Sequence, residues 1–368
     1  MPIPEFDIDP DISRASTPPA EIYRRPDVLE HQKDRIFARS WQMIPGGERV
    51  KAPGHLLPFK LLDGCLGEPL VLACGEDGVV RCFSNVCTHR GTLVVEGEGH
   101  ARGLRCRYHG RRFGLDGGFQ SMPEFECAEN FPSSADNLPP LQLERWGPLL
   151  FCASDPAFSF DAWMAPVRDR VGFLPLDRSL FDPVSSRDYL VRANWALYCD
   201  NYLEEFHIPY VHRVSLADTL DYGTYRTELF PYCNLQLGTA RSEADAFILP
   251  TDHPDHGTLV AAYYYWLFPN LMLNFYPWGL SVNIVTPLAV DRTRVSFLSY
   301  VWDESRRGAG AGGDLHRVEM EDEEIIESVQ AGIQSRLYHR GRYSPRREVG
   351  THHFHRLLAR FMNGGVPA

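Results

Sequence analysis

Two short cysteine–histidine pairs constrain this chain more than any other feature of its 368-residue sequence. Cys87 and His89 form the first pair, and Cys106 and His109 form the second after an interval of sixteen residues. Two thiolates and two neutral imidazoles on two loops are the ligand set of a [2Fe-2S] cluster in which the cysteines hold one iron and the histidines the other. A structural zinc ion is the alternative, but zinc fingers usually group cysteines in one pair and histidines in another. The spacing therefore favours the cluster.

Cysteine usage and charge indicate the compartment and exclude some partners. The nine cysteines are an odd number, which suits reduced thiols and metal ligands better than a secreted disulfide framework. The N-terminal residues lack the basic-then-apolar order of a signal peptide, and no apolar run is long enough for a membrane-spanning helix. A net charge of −11 argues against nucleic acid or an anionic membrane surface as partner. We therefore expect a cytoplasmic protein with neither partner.

A second group of metal-binding side chains is expected in the C-terminal half. If residues 194–208 form a helix, one face of it carries three polar side chains, Asp200, Glu204 and His207. Pro209 cannot continue a regular helix, so the chain should kink and bring His212 back towards His207. Two histidines and one carboxylate leave positions on Fe(II) open for oxygen, so one acid ligand is still required.

A helix predicted over residues 318–339 supplies that acid. Its apolar stripe consists of Ile326, Val329, Ile333 and Leu337. Asp322 lies four residues before Ile326 and is predicted to face inward, whereas Glu319 shares that face and is the alternative ligand. The other acids of the segment are interpreted as charges that favour the helix N-terminus. Three histidines near the C-terminus lack such a pattern and are interpreted as a helix surface or interface: His352, His353 and His355.

These segments resemble the α subunits of Rieske non-haem iron oxygenases. The Cys-Thr-His-Arg-Gly sequence from Cys87 and the Cys-Arg-Tyr-His-Gly sequence from Cys106 are similar to the paired cluster loops. Many members have an aromatic residue, typically tryptophan, after the second His-Gly, where this chain has Arg111. Residues 194–212, which start with Asn-Trp and contain His-x4-His, resemble the mononuclear iron motif, and residues 321–324 resemble its distant aspartate segment.

The resemblance implies a role for each candidate residue. The [2Fe-2S] ligands would be Cys87, His89, Cys106 and His109, and the Fe(II) ligands would be His207, His212 and Asp322. Glu204 would be the acid that connects the cluster of one subunit to the iron of its neighbour in a homotrimer, with Glu205 as the alternative.

An α+β fold with two domains is expected. We predict that residues 1–45 form a lead-in with a helix that packs on the catalytic domain, that 46–155 form an all-β Rieske [2Fe-2S] domain, and that 156–368 form the mononuclear iron domain. A proline-rich acidic stretch at 154–185 marks the boundary. In the catalytic domain, helices should cover one face of an antiparallel sheet in a helix-grip arrangement, with strands expected at 257–269, 271–277, 280–288 and 293–302.

The implied function is that of a terminal oxygenase component. It would take electrons from NAD(P)H through a separate flavin- or ferredoxin-type reductase and use O2 to hydroxylate or N-demethylate a small organic substrate. Residues 200–204 and 268–271 look most like the choline and quaternary-amine branch. Aromatic residues on the predicted strands could form a cage for a quaternary ammonium: Tyr263, Tyr264, Tyr265, Trp266, Phe268, Phe275, Tyr276 and Trp278. The alternatives are an aromatic-ring-hydroxylating oxygenase and a Rieske electron-transfer protein without oxygenase activity.

Overall fold

The structure, a computed structural model, describes residues 2–212 and 221–365. The chain divides into two compact units, one formed by Trp41–Pro156 and the other by Met1–Ser40 together with Ala157–Ala368. In the described ranges, no helix combines the length and the apolar character that crossing a membrane requires.

The Trp41–Pro156 unit is built from short antiparallel strands. They are β1 Gln42–Ile44, β2 His55–Leu61, β3 Glu68–Cys74, β4 Val80–Ser84, β5 Gly99–His100, β6 Leu104–Arg105, β7 Arg112–Phe113, β8 Phe119–Ser121, β9 Pro140–Trp146 and β10 Leu149–Ala153. Seven of them form a sheet in the order β1-β10-β9-β4-β3-β2-β5, and β6, β7 and β8 form a second sheet. Because β1 pairs with β10, the boundary lies at Ser40–Trp41 and not at 45–46.

Strand β3 has a core on each side. Successive side chains of a strand point to opposite faces. Val71 and Ala73 pack with Phe83 and the two cysteines of the paired loops, whereas Leu70, Leu72 and Cys74 pack in a separate cluster with β10. The cysteine loops therefore lie over one face of β3, a strand that is buried on both sides.

The second unit contains the remaining helices and strands. They are α1 Pro26–Arg35, α2 Phe160–Val171, β11 Leu180–Val191, α3 Trp195–Tyr202, α4 Ile208–Val211, β12 Arg226–Phe230, β13 Cys233–Thr239, β14 Val260–Leu267, β15 Leu271–Tyr276, β16 Gly279–Ala289, β17 Arg292–Val301, α5 Leu315–Ile333 and α6 Val349–Met362. Strands β11 to β17 form one antiparallel sheet in the order β11-β17-β16-β15-β14-β13-β12. The four strands predicted from the sequence correspond to β14, β15, β16 and β17.

The start of α3 is fixed by two other helices. The side chain of Asn194 accepts a hydrogen bond from the amide of Ala196 and caps the helix, as short polar side chains do at this position. The backbone N–H of Asn194 donates to the side-chain oxygen of Gln330 in α5 (2.8 Å), and the indole N–H of Trp195 donates to the side-chain oxygen of Gln32 in α1 (2.9 Å). These buried hydrogen bonds hold the segment that leads into the candidate iron site.

Two predictions about helices were wrong in part. The helix expected over 194–208 ends at Tyr202, so Asp200, Glu204 and His207 do not share one helical face. The helix expected over 318–339 ends at Ile333, and Val329 and Leu337 of its supposed apolar stripe are 42% and 92% exposed.

The C-terminal histidines do not form the surface that the sequence suggested. His352 and His355 are buried on α6. His355 contacts Tyr343 (Nδ1 to Oη, 2.7 Å) and Asp200 (Nε2 to Oδ1, 2.7 Å), and His352 contacts the Asp9 carbonyl oxygen (2.8 Å). His353 contacts the Asn234 side chain. The three imidazoles therefore bond to other elements of their own unit, which spacing along the chain does not reveal.

Candidate metal centres

The two cysteine loops have the same backbone geometry. The backbone N–H of Cys87 donates to the carbonyl oxygen of Thr92 (2.8 Å), and the backbone N–H of Gly91 donates to the carbonyl oxygen of Cys87 (3.0 Å). Cys106 makes the same two bonds with the same lengths, 2.8 and 3.0 Å. Gly91 and Gly110 each lie four residues after the cysteine of their loop. Their φ angles are +73° and +77°, which glycine adopts without strain. Two matched loops therefore present the two candidate ligand pairs.

The four candidate cluster ligands carry the donor chemistry that a [2Fe-2S] cluster requires. Cys87 and Cys106 are buried, and Nδ1 of His89 lies 3.1 Å from Nδ1 of His109. Burial, followed by the positive charge of His109, lowers the pKa of His89, which favours the neutral imidazole that binds metal. Burial raises the pKa of the Cys87 thiol, so this thiolate needs a cationic partner such as iron. The donor set therefore fits the cluster.

Arg111, the departure from the Rieske loop pattern, is a buried residue. It is 2% exposed, and its Nη2 donates to Oδ1 of Asp136 (2.6 Å) and to the carbonyl oxygen of Asp136 (3.1 Å). The same carbonyl accepts from the hydroxyl of Thr88 in the first loop (2.8 Å). One carbonyl therefore links the two cysteine loops.

Aromatic rings surround the Arg111 guanidinium. Its central carbon lies 4.9 Å from the ring centre of Phe119, 5.6 Å from that of Phe131 and 5.7 Å from that of Phe113. Arginine stacks well on aromatic faces because its guanidinium is planar and weakly hydrated. Arg111 thus occupies an aromatic environment.

We expect Arg111→Leu to destabilise the Trp41–Pro156 unit by roughly 1–3 kcal/mol, since it removes a charge-assisted hydrogen bond between the buried guanidinium and the partly buried Asp136 carboxylate. The measurement is denaturant unfolding followed by the visible circular dichroism of the bound cluster. Arg107→Leu is the matched control, because Arg107 lies in the same loop and pairs with Glu96 on the surface. Equal unfolding midpoints for both variants would contradict the role of the Arg111 ion pair.

The second candidate site brings together three ligand atoms from distant parts of the sequence. His207 Nε2 lies 3.2 Å from His212 Nε2, and Oδ1 of Asp322 lies 3.1 Å from His212 Nε2 and 3.5 Å from His207 Nε2. Among the residues that the structure describes, these three form the one group of histidine, cysteine and acidic side chains whose ligand atoms lie close enough together for a single metal ion. Glu319, the alternative acid, is not part of it.

A single-turn helix positions the two histidines. His207 is the N-cap and His212 the C-cap of α4, and Pro209 occupies the second position of this helix. Proline is tolerated in a first turn because its missing N–H would have no partner there. The predicted convergence of His207 and His212 is therefore present, but it arises from a new helix that starts at Ile208 and not from a kink in a longer one.

Each of the three candidate ligand side chains is held by a further polar group. Nδ1 of His207 contacts Oε1 of Glu204 (2.6 Å), and Nδ1 of His212 contacts Oε2 of Glu321 (2.8 Å). The Asn201 amide donates to Oδ1 of Asp322 (2.7 Å). Such contacts fix the ring orientation and the tautomer of a metal-bound histidine. Sequence reasoning missed Asn201 and interpreted Glu321 only as a helix N-terminal charge.

The charge of this site suits a divalent cation. Burial disfavours the imidazolium of His212, but Asp322 and then Glu321 outweigh burial and raise its pKa. The protein therefore concentrates negative charge around two imidazoles, and a dication would balance it. The donor set of two nitrogens and one carboxylate oxygen fits Fe(II).

The structure distinguishes the two adjacent acids Glu204 and Glu205. Glu204 contacts both the amide nitrogen and the ring of His207. Glu205 is buried elsewhere and forms an ion pair with Arg347 (2.9 Å). Asp200, the third acid of the segment, contacts Tyr23 and His355 and not the histidine pair.

A cavity adjoins the three candidate iron ligands. Its lining includes six aromatic side chains, Tyr198, Tyr202, Tyr225, Tyr264, Tyr276 and Phe297. Of the eight strand aromatics proposed for a cage, only Tyr264 and Tyr276 are among the described lining residues. Tyr263 instead donates to Asp255 and Tyr265 to the Pro166 carbonyl, because alternate residues of β14 face the other side of the sheet.

Comparisons with known proteins agree with these two centres. Residues 40–132 match the family described as Rieske [2Fe-2S] domain, and residues 179–364 match the family described as ring hydroxylating alpha subunit (catalytic domain). The chain is 31% identical to choline monooxygenase of Arabidopsis thaliana over 97% of this chain and 85% of that protein. It is 30% identical to the carnitine monooxygenase oxygenase subunit of Escherichia coli K12, over 94% and 93%.

A solved structure has the same fold over nearly its full length. It is a quaternary ammonium Rieske monooxygenase linked to carnitine oxidation by gut microbiota, with a TM-score of 0.77 and 25% identity over 98% of this chain and 100% of that one. The α+β architecture expected from the sequence is thereby confirmed, with the Rieske domain preceding the catalytic domain.

Proposed function

Because the chain belongs to the Rieske oxygenases with a ring-hydroxylating α-subunit catalytic domain, we propose that it is the oxygenase component that hydroxylates or N-demethylates a quaternary amine. The observation that carries this proposal is the convergence of His207, His212 and Asp322 at the edge of an aromatic cavity. A Rieske electron carrier without oxygenase activity would have no use for this second site.

The ligand roles follow from the two geometries. The [2Fe-2S] cluster would be held by Cys87, His89, Cys106 and His109, and Fe(II) by His207, His212 and Asp322. When bound, the cluster supplies single electrons and the Fe(II) supplies a site at which O2 is activated.

The side chains of this chain orient and shield the reaction. Glu204 and Glu321 accept hydrogen bonds from the Nδ1–H groups of His207 and His212. Each Nε2 lone pair is then free to bind the iron. Asn201 holds one oxygen of Asp322 by donating to it. Tyr202 donates to Oδ1 of Asn274, so its ring is fixed in the cavity wall. The buried lining excludes bulk water from the substrate.

The cavity chemistry favours a cationic substrate with apolar substituents. Aromatic ring faces attract a quaternary ammonium through cation–π interactions and also cover its methyl groups. Glu319 and Asp322 add carboxylates to the same lining. An aromatic acid would find ring faces there, but it would bring a further carboxylate close to those of the lining.

We further propose a homotrimer in the cytoplasm, supplied with electrons by a separate flavin- or ferredoxin-type reductase. The solved structure of the similar quaternary ammonium monooxygenase gave insight into inter-subunit electron transfer in that protein, and the loop resemblance implies the same arrangement for this chain. The proposed domains follow the structural units, with Trp41–Pro156 carrying the cluster and the remainder carrying the iron.

The holoenzyme, mixed with a surrogate reductase, tests the function. We expect choline, carnitine or a related quaternary amine to stimulate NADH and O2 consumption together, with formation of an aldehyde or alcohol product. Benzoate and other aromatic acids serve as the comparison series. Stimulation by aromatic acids alone would favour the ring-hydroxylating alternative, and no stimulation by any substrate despite a reducible cluster would favour the electron carrier.

A further inference from the structure

Glu319 has a buried carboxyl group in the cavity and is not one of the three candidate iron ligands. It is 3% exposed on α5, one turn before Asp322, and it lines the same cavity. One oxygen, Oε2, accepts the hydroxyl of Tyr198 (2.7 Å). The other oxygen, Oε1, is buried and has no hydrogen-bond partner among the described residues.

An ionised carboxylate in this environment needs a counterion. Burial raises the pKa of Glu319 well above its usual range, and the nearby Asp322 charge acts in the same direction despite the Tyr198 hydrogen bond. Among the described cavity-lining residues there is no lysine or arginine that could pair with it. The cavity without a ligand therefore favours the neutral carboxyl, and a cation that enters beside Glu319 would stabilise its ionised form.

The walls around Glu319 suit a cation that cannot donate a hydrogen bond. Tyr202, Tyr225, Tyr264 and Tyr276 place aromatic rings in the same lining. Ring faces stabilise a methylated ammonium, and a nearby carboxylate adds a longer-range attraction that requires no N–H group. A primary amine would instead need several acceptors close together.

We propose that Glu319 is the specificity-determining residue that recognises the fixed positive charge of the substrate. The proposal rests on the proposed function and deepens it, because it assigns the selection of a cation to one side chain. Glu319 does so without coordinating iron, and Tyr198 holds it in place.

A charged ligand and its uncharged isostere test this role directly. Choline and 3,3-dimethylbutan-1-ol have nearly the same shape, but only choline is charged. Their binding to the oxygen-free holoenzyme is measured by calorimetry. We expect the native protein to bind choline more tightly, and Glu319→Gln to weaken choline binding roughly tenfold or more while changing binding of the isostere less than about twofold. The iron content should not change.

Glu323→Gln is the matched control, since it removes the same charge from the next turn of α5, at a position outside the cavity lining. It should leave both affinities unchanged. The proposal is overturned if the native protein binds the two ligands equally, if Glu319→Gln weakens both to the same extent, or if this variant loses its mononuclear iron. Failure of the native protein to bind any quaternary amine would instead contradict the proposed function on which the inference rests.

Discussion

Asp322→Ala is expected to remove the mononuclear iron and leave the cluster in place, which lowers the iron content from about three to about two atoms per chain. Asp322 is the one carboxylate among the three candidate iron ligands. Its Oδ1 lies 3.1 Å from Nε2 of His212. Without it, two imidazoles alone have to hold a hard cation. We expect oxygenase activity to fall at least about 100-fold.

Iron analysis of the purified variant, together with the visible spectrum of the cluster, checks this expectation. Glu324→Ala is the control, because Glu324 is an exposed acid of the same helix and is not in the ligand group. The assignment would be wrong if Asp322→Ala kept all of its iron and its activity. Loss of cluster absorption in this variant would also contradict it, since the cluster ligands belong to the other unit.

The sequence predicted the three side chains that come together as candidate iron ligands, because Pro209 and the period of α5 constrain where they lie. Pro209 cannot lie inside a long regular helix, which indicated that the chain brings His207 and His212 together, and Asp322 lies one turn before the buried Ile326. The exact route of the chain could not be predicted. Helix α3 ends at Tyr202, several residues before the expected kink, and the Tyr202 carbonyl accepts a hydrogen bond from the distant Gln236 side chain, a contact that the local pattern does not reveal.

The residues that support the ligands were harder to predict. Glu321 looks like any acid near a helix N-terminus, and only the fold shows that it reaches His212. Arg111 looks like a surface cation, yet its partner Asp136 lies 25 residues away. Gln330 looks like a solvated residue of a helix surface but is buried, and its side chain accepts a hydrogen bond from the backbone N–H of Asn194. Such long-range polar contacts leave no periodic signal in the sequence.

Glu204→Gln is expected to stop electron transfer while both metal centres stay bound. Glu204 accepts from the amide of His207 with one oxygen (3.1 Å) and contacts Nδ1 of the same residue with the other (2.6 Å). Glutamine retains the shape but can accept with one atom only and has no charge. His207 would therefore remain near its position, whereas the negatively charged connection that we propose between Glu204 and a cluster histidine of the neighbouring subunit would be lost.

Stopped-flow measurement separates this role from a structural one. The cluster is reduced in advance, and its reoxidation is followed after mixing with O2 and substrate. We expect reoxidation to slow at least about 100-fold in Glu204→Gln, with iron content and substrate affinity unchanged. Glu205→Gln is the matched control: it changes the adjacent acid, whose partner is Arg347, so it should lower stability but not the rate of reoxidation. Reoxidation at the native rate in Glu204→Gln would exclude Glu204 as the connection, and slow reoxidation in the Glu205 variant alone would transfer that role to its neighbour.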